Sequence, residues 1–163
     1  MIETILTLVI VFFAITLFGH VSHYCLHQKW SGRLNRAHMT HHLKLYPPSD
    51  YVSDVYRNPG KDNTVIIFAM LSLPVLITPI LLCLIGKLSI FLTIVAVVEM
   101  LVVGLLHDRI HDAFHLTKSI WHKVPGFKRW NRLHYLHHVD MQTNFGIFSF
   151  HWDKIFGTYW SKN

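Results

Sequence analysis

Twelve of the fourteen histidines in this 163-residue chain fall into four tight clusters. These read His20-Val-Ser-His23-Tyr-Cys-Leu-His27, His38-Met-Thr-His41-His42, His107-Asp-Arg-Ile-His111-Asp-Ala-Phe-His115 and His134-Tyr-Leu-His137-His138, with His151 trailing and His122 apart. Neutral imidazole is the commonest metal ligand and suits iron, zinc, copper and nickel. Spacings of three and four put side chains on one helix face, about 5–6 Å apart at Cβ, within reach of one ion. A lone histidine is ordinarily a hydrogen-bonded core or surface residue, but two copies of His-x-x-His-His make a metal site the better account.

The donor set also narrows the chemistry. A structural zinc site needs four ligands and usually recruits cysteine, whereas ten or more histidines suit two ions with four or five ligands each. Carboxylate-bridged di-iron sites in helical bundles use Glu-x-x-His pairs. The only glutamates are Glu3 and Glu99, and neither precedes a histidine by three. A histidine-rich pair of irons remains, a centre suited to activating O2 for attack on an unactivated C–H bond. No Gly-x-Ser-x-Gly elbow, Walker loop or Gly-x-Gly-x-x-Gly occurs to support another chemistry.

The elements that must carry these clusters are apolar. The chain is 52% hydrophobic and 15% charged, with mean hydropathy +0.34, the balance of a membrane protein. Uncharged runs cover residues 4–19 and 64–86, and a third, 88–106, is broken only by Glu99. As a helix the second would be roughly 34 Å long, enough to cross a bilayer, with Pro74 and Pro79 as expected kinks. The first lacks a basic leader and a small-residue cleavage site, so it is expected to be a retained span running on into the first cluster.

Three spans put all four clusters on one face of the membrane, with Gly86-Lys87 as a hairpin on the other. Fourteen of the fifteen lysines and arginines lie on the histidine side, and only Lys87 lies opposite. The positive-inside rule makes that face cytoplasmic. The net charge of +6 flanks the spans, which points to a membrane surface rather than to nucleic acid. Cys25 and Cys83 fall near opposite faces, which argues against a disulfide. Turn signals at Ser31-Gly32, Pro47-Pro48-Ser49-Asp50 and Asn58-Pro59-Gly60 limit the second cluster's helix to about residues 33–45. The third span runs as helix through His115, residues 116–130 are expected as a loop, and helix resumes over 130–138. The expected architecture is all-α and membrane-embedded, a single domain over residues 1–163 with about three transmembrane helices capped by a cytosolic histidine-rich site.

The four boxes, with Asn144-Phe145-Gly146 and Trp152-Asp153-Lys154-Ile155-Phe156-Gly157-Thr158, resemble the fatty acid hydroxylase/sterol desaturase superfamily from about His20 to Thr158. The resemblance implies a membrane non-haem di-iron oxygenase acting on fatty acyl chains, sterols, carotenoids or related lipids. It implies two Fe ions (Zn in isolated protein being an alternative occupant) and O2 as co-substrate. Carried over residue by residue, the ligands are His23, His27, His38, His41, His42, His111, His115, His134, His137 and His138. His107 competes with His115, and His20 with His23, because each offers an equivalent spacing; both, with Asp108, are expected as alternative ligands or as residues that orient a ligand ring.

Asp108 ahead of His111-x-x-x-His115 follows the ceramide fatty acid 2-hydroxylase branch, which favours hydroxylation over desaturation. His107-Asp108 also bears some likeness to the carotenoid hydroxylase box, one residue shorter. His122 and His151 are expected at the surface, and Trp152, Asp153 and Phe156 as packing of a C-terminal cap. Glu99, a carboxylate within a span, is either protonated between helices or a lining group of a lipid tunnel. With no cytochrome b5-like segment in these residues, electrons are expected from a separate electron-transfer protein. The membrane itself is expected to be a bacterial inner membrane or the endoplasmic reticulum. The alternative from another class is a non-catalytic membrane metal-binding protein.

Overall fold

The computed structural model describes residues 1–57 and 64–161; the Asn58-Pro59-Gly60 turn lies outside them. Among the described residues the chain is helical, with a single isolated bridge between Ser53 and Leu116. The α-helices are α1 (Ile2–His27), α2 (Arg33–Thr40), α3 (Thr64–Leu84), α4 (Ile90–Phe114), α5 (Phe127–Val139) and α6 (His151–Phe156).

Two of these, α1 and α4, are long and apolar enough to cross a membrane. Both leave large apolar side chains exposed along their length, such as Ile5, Val9 and Phe13 on α1 and Ile94, Leu101 and Leu105 on α4. A helix with this surface gains by facing lipid rather than water. They pack side by side and run the same way, because Val11 meets Ala96 and Met100 while Gly19 lies opposite His107. α3 returns the chain between them and carries Pro74 and Pro79 inside the helix. Gly86, in the left-handed region at φ +71°, turns into α4, whose first turn is capped by Ser89 Oγ accepting from Leu92 N–H.

Parallel α1 and α4 bring their histidine-bearing C-terminal ends together, and the short helices close over that end. The segment expected as one helix over 33–45 changes character at His41, where α2 widens into a π-turn over His41–Leu45 closed by Tyr46 N–H on His41 C=O. Helix α5 begins at Phe127, three residues earlier than expected, because Gly126 takes the left-handed conformation at φ +87° and starts it. The expected loop also contains a turn of 3-10 helix over Ile120–Lys123. Beneath α5 sits a core of Ile110, Phe114, Phe127, Ile147 and Tyr51.

Candidate metal centre

Nine histidines converge in two buried groups: His23, His27, His38, His42 and His137 in the first, and His41, His115, His134 and His138 in the second. Within each group the available ring nitrogens lie within 4.8 Å of one another. The boxes interleave. His38 and His42, four apart, serve the first group while His41 between them serves the second. His134 and His138 serve the second while His137 serves the first. The π-turn helps this division, since widening the helix at His41 re-aims adjacent residues. The groups abut, with the His42 and His138 rings 4.0 Å apart at their centroids.

Backbone carbonyls aim the rings. Nδ1 of His23 donates to Phe145 C=O (2.7 Å), His137 to Thr143 C=O (2.6 Å), His138 to Tyr46 C=O (2.8 Å) and His115 to Tyr51 C=O (3.0 Å). A carbonyl can only accept, so each of these rings carries its proton on Nδ1 and turns a bare Nε2 lone pair inward. Burial holds His38, His41, His42, His115, His134 and His137 well below the usual histidine range, and neighbouring rings add to the effect. Burial likewise pushes His138 down to about 3. The rings are therefore neutral at pH 7, the form that binds metal.

The nitrogen spacings test whether cations fit. His38 Nε2 lies 3.1 Å from His23 Nε2, 2.9 Å from His27 Nε2 and 3.1 Å from His42 Nε2, and His27 Nε2 lies 3.0 Å from His137 Nε2. One ring nitrogen has a single hydrogen or a single lone pair, so His38 cannot hydrogen-bond to three partners. Two imidazoles on one ion, each at about 2.0–2.1 Å and at right angles, would sit about 3 Å apart. In the second group His115 and His134 Nε2 are 3.3 Å apart, while Nε2 of His41 and of His138 are buried with no hydrogen-bond partner. Such orphaned acceptors are costly unless something binds them. The residues fit two cations, held by imidazole alone.

The C-terminal segment holds the first group in place. Asn144, buried at φ +51°, clamps the chain through Nδ2 to Leu133 C=O and Trp160 C=O and through Oδ1 from Trp160 N–H. Asparagine is among the few residues that take this conformation readily. The Phe145 ring packs on His20, His23, His27 and His137. Gly146 is required because a Cβ there would lie 2.2 Å from Ser149 O and 2.8 Å from Asp153 Oδ2. Asp153, fully buried, accepts from Phe145 N–H (2.7 Å) and Thr158 Oγ1 (2.8 Å) on Oδ1 and from Gly146 N–H (3.0 Å) on Oδ2.

The second group's support lies before α3. The Tyr46 ring stacks on His115 at 4.0 Å, and Arg57 ties Leu45 C=O and the Asp50 carboxylate to the same segment. Ser53 N–H donates to His115 C=O. Sequence reasoning missed Tyr46, Tyr51 and Thr143. They act through backbone carbonyls, which leave no mark in residue type; Pro47 after Tyr46 was read only as a turn.

The remaining expected site residues fall around the groups. His111 lies beside the second group without joining it, its ring centroid 4.8 Å from His134 and 5.0 Å from His41. Between the competing pairs, His115 and His23 are the rings that converge. His107 faces Gly19 across the α1–α4 contact, half-buried Asp108 follows it, and His20 Nδ1 lies 3.6 Å from Asp153 Oδ1.

Neither His122 nor His151 is a free surface residue. His122 Nδ1 accepts Ser119 N–H in a helix cap, and His151 packs on Phe13 and Trp152 beside Ser149 Oγ. An apolar cavity of about 730 Å³ opens between α1, α3 and α4, lined by residues including Leu17, Val21, Val75, Ala96 and Met100. Glu99 is not among its lining residues, and its Oε2 is buried without a hydrogen-bond partner. At about 100° per residue, the cavity stripe on α1 lies roughly opposite the face bearing His20, His23 and His27.

A helical chain with two buried all-imidazole groups at the end of apolar helices has the form of a membrane-associated, histidine-ligated metal protein. The chain matches the fatty acid hydroxylase family over residues 8–158 and belongs to it, within the fatty acid hydroxylase/sterol desaturase superfamily. No curated protein and no solved structure matches it. Family and histidine groups together point to a metal-dependent oxidoreductase, an oxygenase, in a membrane.

Proposed function

We propose that this protein is a membrane lipid hydroxylase using two irons, O2 and electrons from a separate electron-transfer protein. The observation that carries the proposal is the pair of abutting all-imidazole groups at the shared end of two apolar helices. Iron held there would supply O2 activation and abstraction of hydrogen from an unactivated C–H bond. The five histidines of the first group would hold one ion; His41, His115, His134 and His138, with His111 turning in from α4, would hold the other.

The chain's own contribution is positioning. Phe145, Thr143, Tyr46 and Tyr51 carbonyls fix four tautomers, and burial of the rings keeps water from the site. With all donors neutral, the site keeps the positive charge of its ions, which favours binding of O2 and its reduced forms. In the overall reaction R–H, O2, two electrons and two protons give R–OH and water. The proposed topology has α1, α3 and α4 as three spans, with the histidine face cytoplasmic in a bacterial inner membrane or the endoplasmic reticulum. Hydroxylation is preferred to desaturation because Asp108 ahead of His111-x-x-x-His115 follows the hydroxylase branch.

The test is direct. Purified protein loaded with iron is given lipid extract, reductant and O2, and products are read by mass. A product heavier by one oxygen is expected. Loss of two hydrogens without added oxygen would replace hydroxylase with desaturase, and no product with tightly bound metal would favour a non-catalytic metal-binding role.

A further inference from the structure

The two histidine groups are aimed in the same way but backed differently. The peptide joining Phe145 to Gly146 is engaged at both ends: its C=O accepts from His23 Nδ1, and its N–H donates to Asp153 Oδ2. A carboxylate drawing on an amide hydrogen shifts electron density to that amide's oxygen, and hydrogen bonds linked this way strengthen one another by perhaps 10–30%. The Thr143–Asn144 peptide repeats the pattern, with Thr143 C=O accepting from His137 Nδ1 and Asn144 N–H donating to Thr158 C=O.

The second group has no equivalent at His138. Its acceptor, Tyr46 C=O, belongs to the peptide bond with Pro47, which has no N–H to donate. Asp153 is fully buried and its carboxylate accepts from Phe145 N–H, Gly146 N–H and Thr158 Oγ1, with His20 Nδ1 3.6 Å from Oδ1 and the His20 ring itself packed on Phe145 and Phe156. Exclusion of water strengthens the chain of hydrogen bonds.

We propose that Asp153 is a positioning residue for His23, acting through the Phe145–Gly146 peptide, and that it makes the first site the stronger donor set of the two. This rests on the reading that both groups hold metal. The arrangement resembles the familiar pairing of a ligand histidine with a carboxylate, which orients the ring and raises its basicity, but with one peptide group inserted between the partners. It also assigns a role to His20, which belongs to neither group: it faces the carboxylate and helps close it off from water.

The experiment uses the full chain in lipid nanodiscs, stripped of metal and titrated anaerobically with ⁵⁷Fe(II), with Mössbauer spectra distinguishing the two ions. In Asp153→Asn, which keeps the shape of the side chain, affinity at one site is expected to fall about 10–100-fold, the usual effect of losing an outer partner. The signal of the other site should be unchanged. Equal weakening of both sites would mark Asp153 as a packing residue and overturn the proposal, as would no weakening at either.

A second measurement needs no substitution. In metal-free wild-type protein with ¹⁵N-labelled histidine, the Nδ1 proton of His23 should resonate downfield of that of His138. The reverse order, or equality, overturns the proposal independently of metal binding. A wild-type chain with this proton order that takes up no iron would instead overturn the metal reading on which the function rests.

Discussion

At the residue scale, each histidine has a separable expected outcome. His138 places a partnerless Nε2 in the second group. His138→Ala is expected to abolish activity and to remove about one metal ion per chain by elemental analysis; full activity with full metal content would discard the ligand assignment. His111→Ala is the finer case, since that ring adjoins the second group without converging on it. The first group contains two i, i+4 pairs, His23/His27 and His38/His42, plus the middle residue His137. The second would match it if His111 paired with His115. Its loss should weaken the second ion and leave the first untouched in the same titration. His122→Ala, which removes a helix cap and a ring contact with Phe127 away from both histidine groups, is expected to keep metal and activity and to cost about 1 kcal/mol of stability by thermal melting.

At the element scale, the loop over residues 143–146 connects local backbone geometry to metal binding. Gly146→Ala forces a Cβ against Ser149 O. Crowding of this kind typically costs about 1–3 kcal/mol. Both Phe145 and Thr143 carbonyls sit in that loop, so the variant should lose metal from the first site before the second, as followed by the paired Mössbauer signals. The helices themselves were legible because apolar runs and i, i+3, i+4 histidines have a periodicity that side-chain type reveals. The carbonyl partners were not legible, since every residue carries a C=O and only the folded path decides which one a ring meets. The π-turn at His41 was equally hidden: its sequence reads as ordinary helix, and tertiary demand from two sites fixes the widening. Asn-Phe-Gly and the buried aspartate stood out only through family likeness, with packing the one role expected of Asp153.

For the whole molecule, burying so many neutral rings makes folding depend on pH. In the unfolded chain histidines take up protons near pH 6.5. In the folded chain burial holds His38, His41, His42, His115, His134 and His137 well below that value, with His138 down to about 3. Below about pH 6.5 the unfolded state therefore binds more protons, and stability falls as pH drops. It is fully present above that range. The melting temperature of metal-free protein should be level from pH 8 to 7 and decline from pH 6.5 to 5; a level curve to pH 5 would contradict the buried neutral rings. Iron should shift the decline to lower pH, because protons must then displace the metal as well.

The exchange of middle residues between the two His-x-x-His-His boxes also governs the order in which the molecule can be completed. During synthesis, α1, α2 and the π-turn emerge with four of the first group's five histidines, and α4 with its C-terminal cap adds the third cluster. The first group still lacks His137, and the second lacks His134 and His138, until α5 is made. A chain made only as far as α4 offers four imidazoles to the first ion but only His41 and His115 of the second group, so the second site is the one that cannot be built early. Helix α5 closes both sites, so loading of the full pair of ions waits on its synthesis.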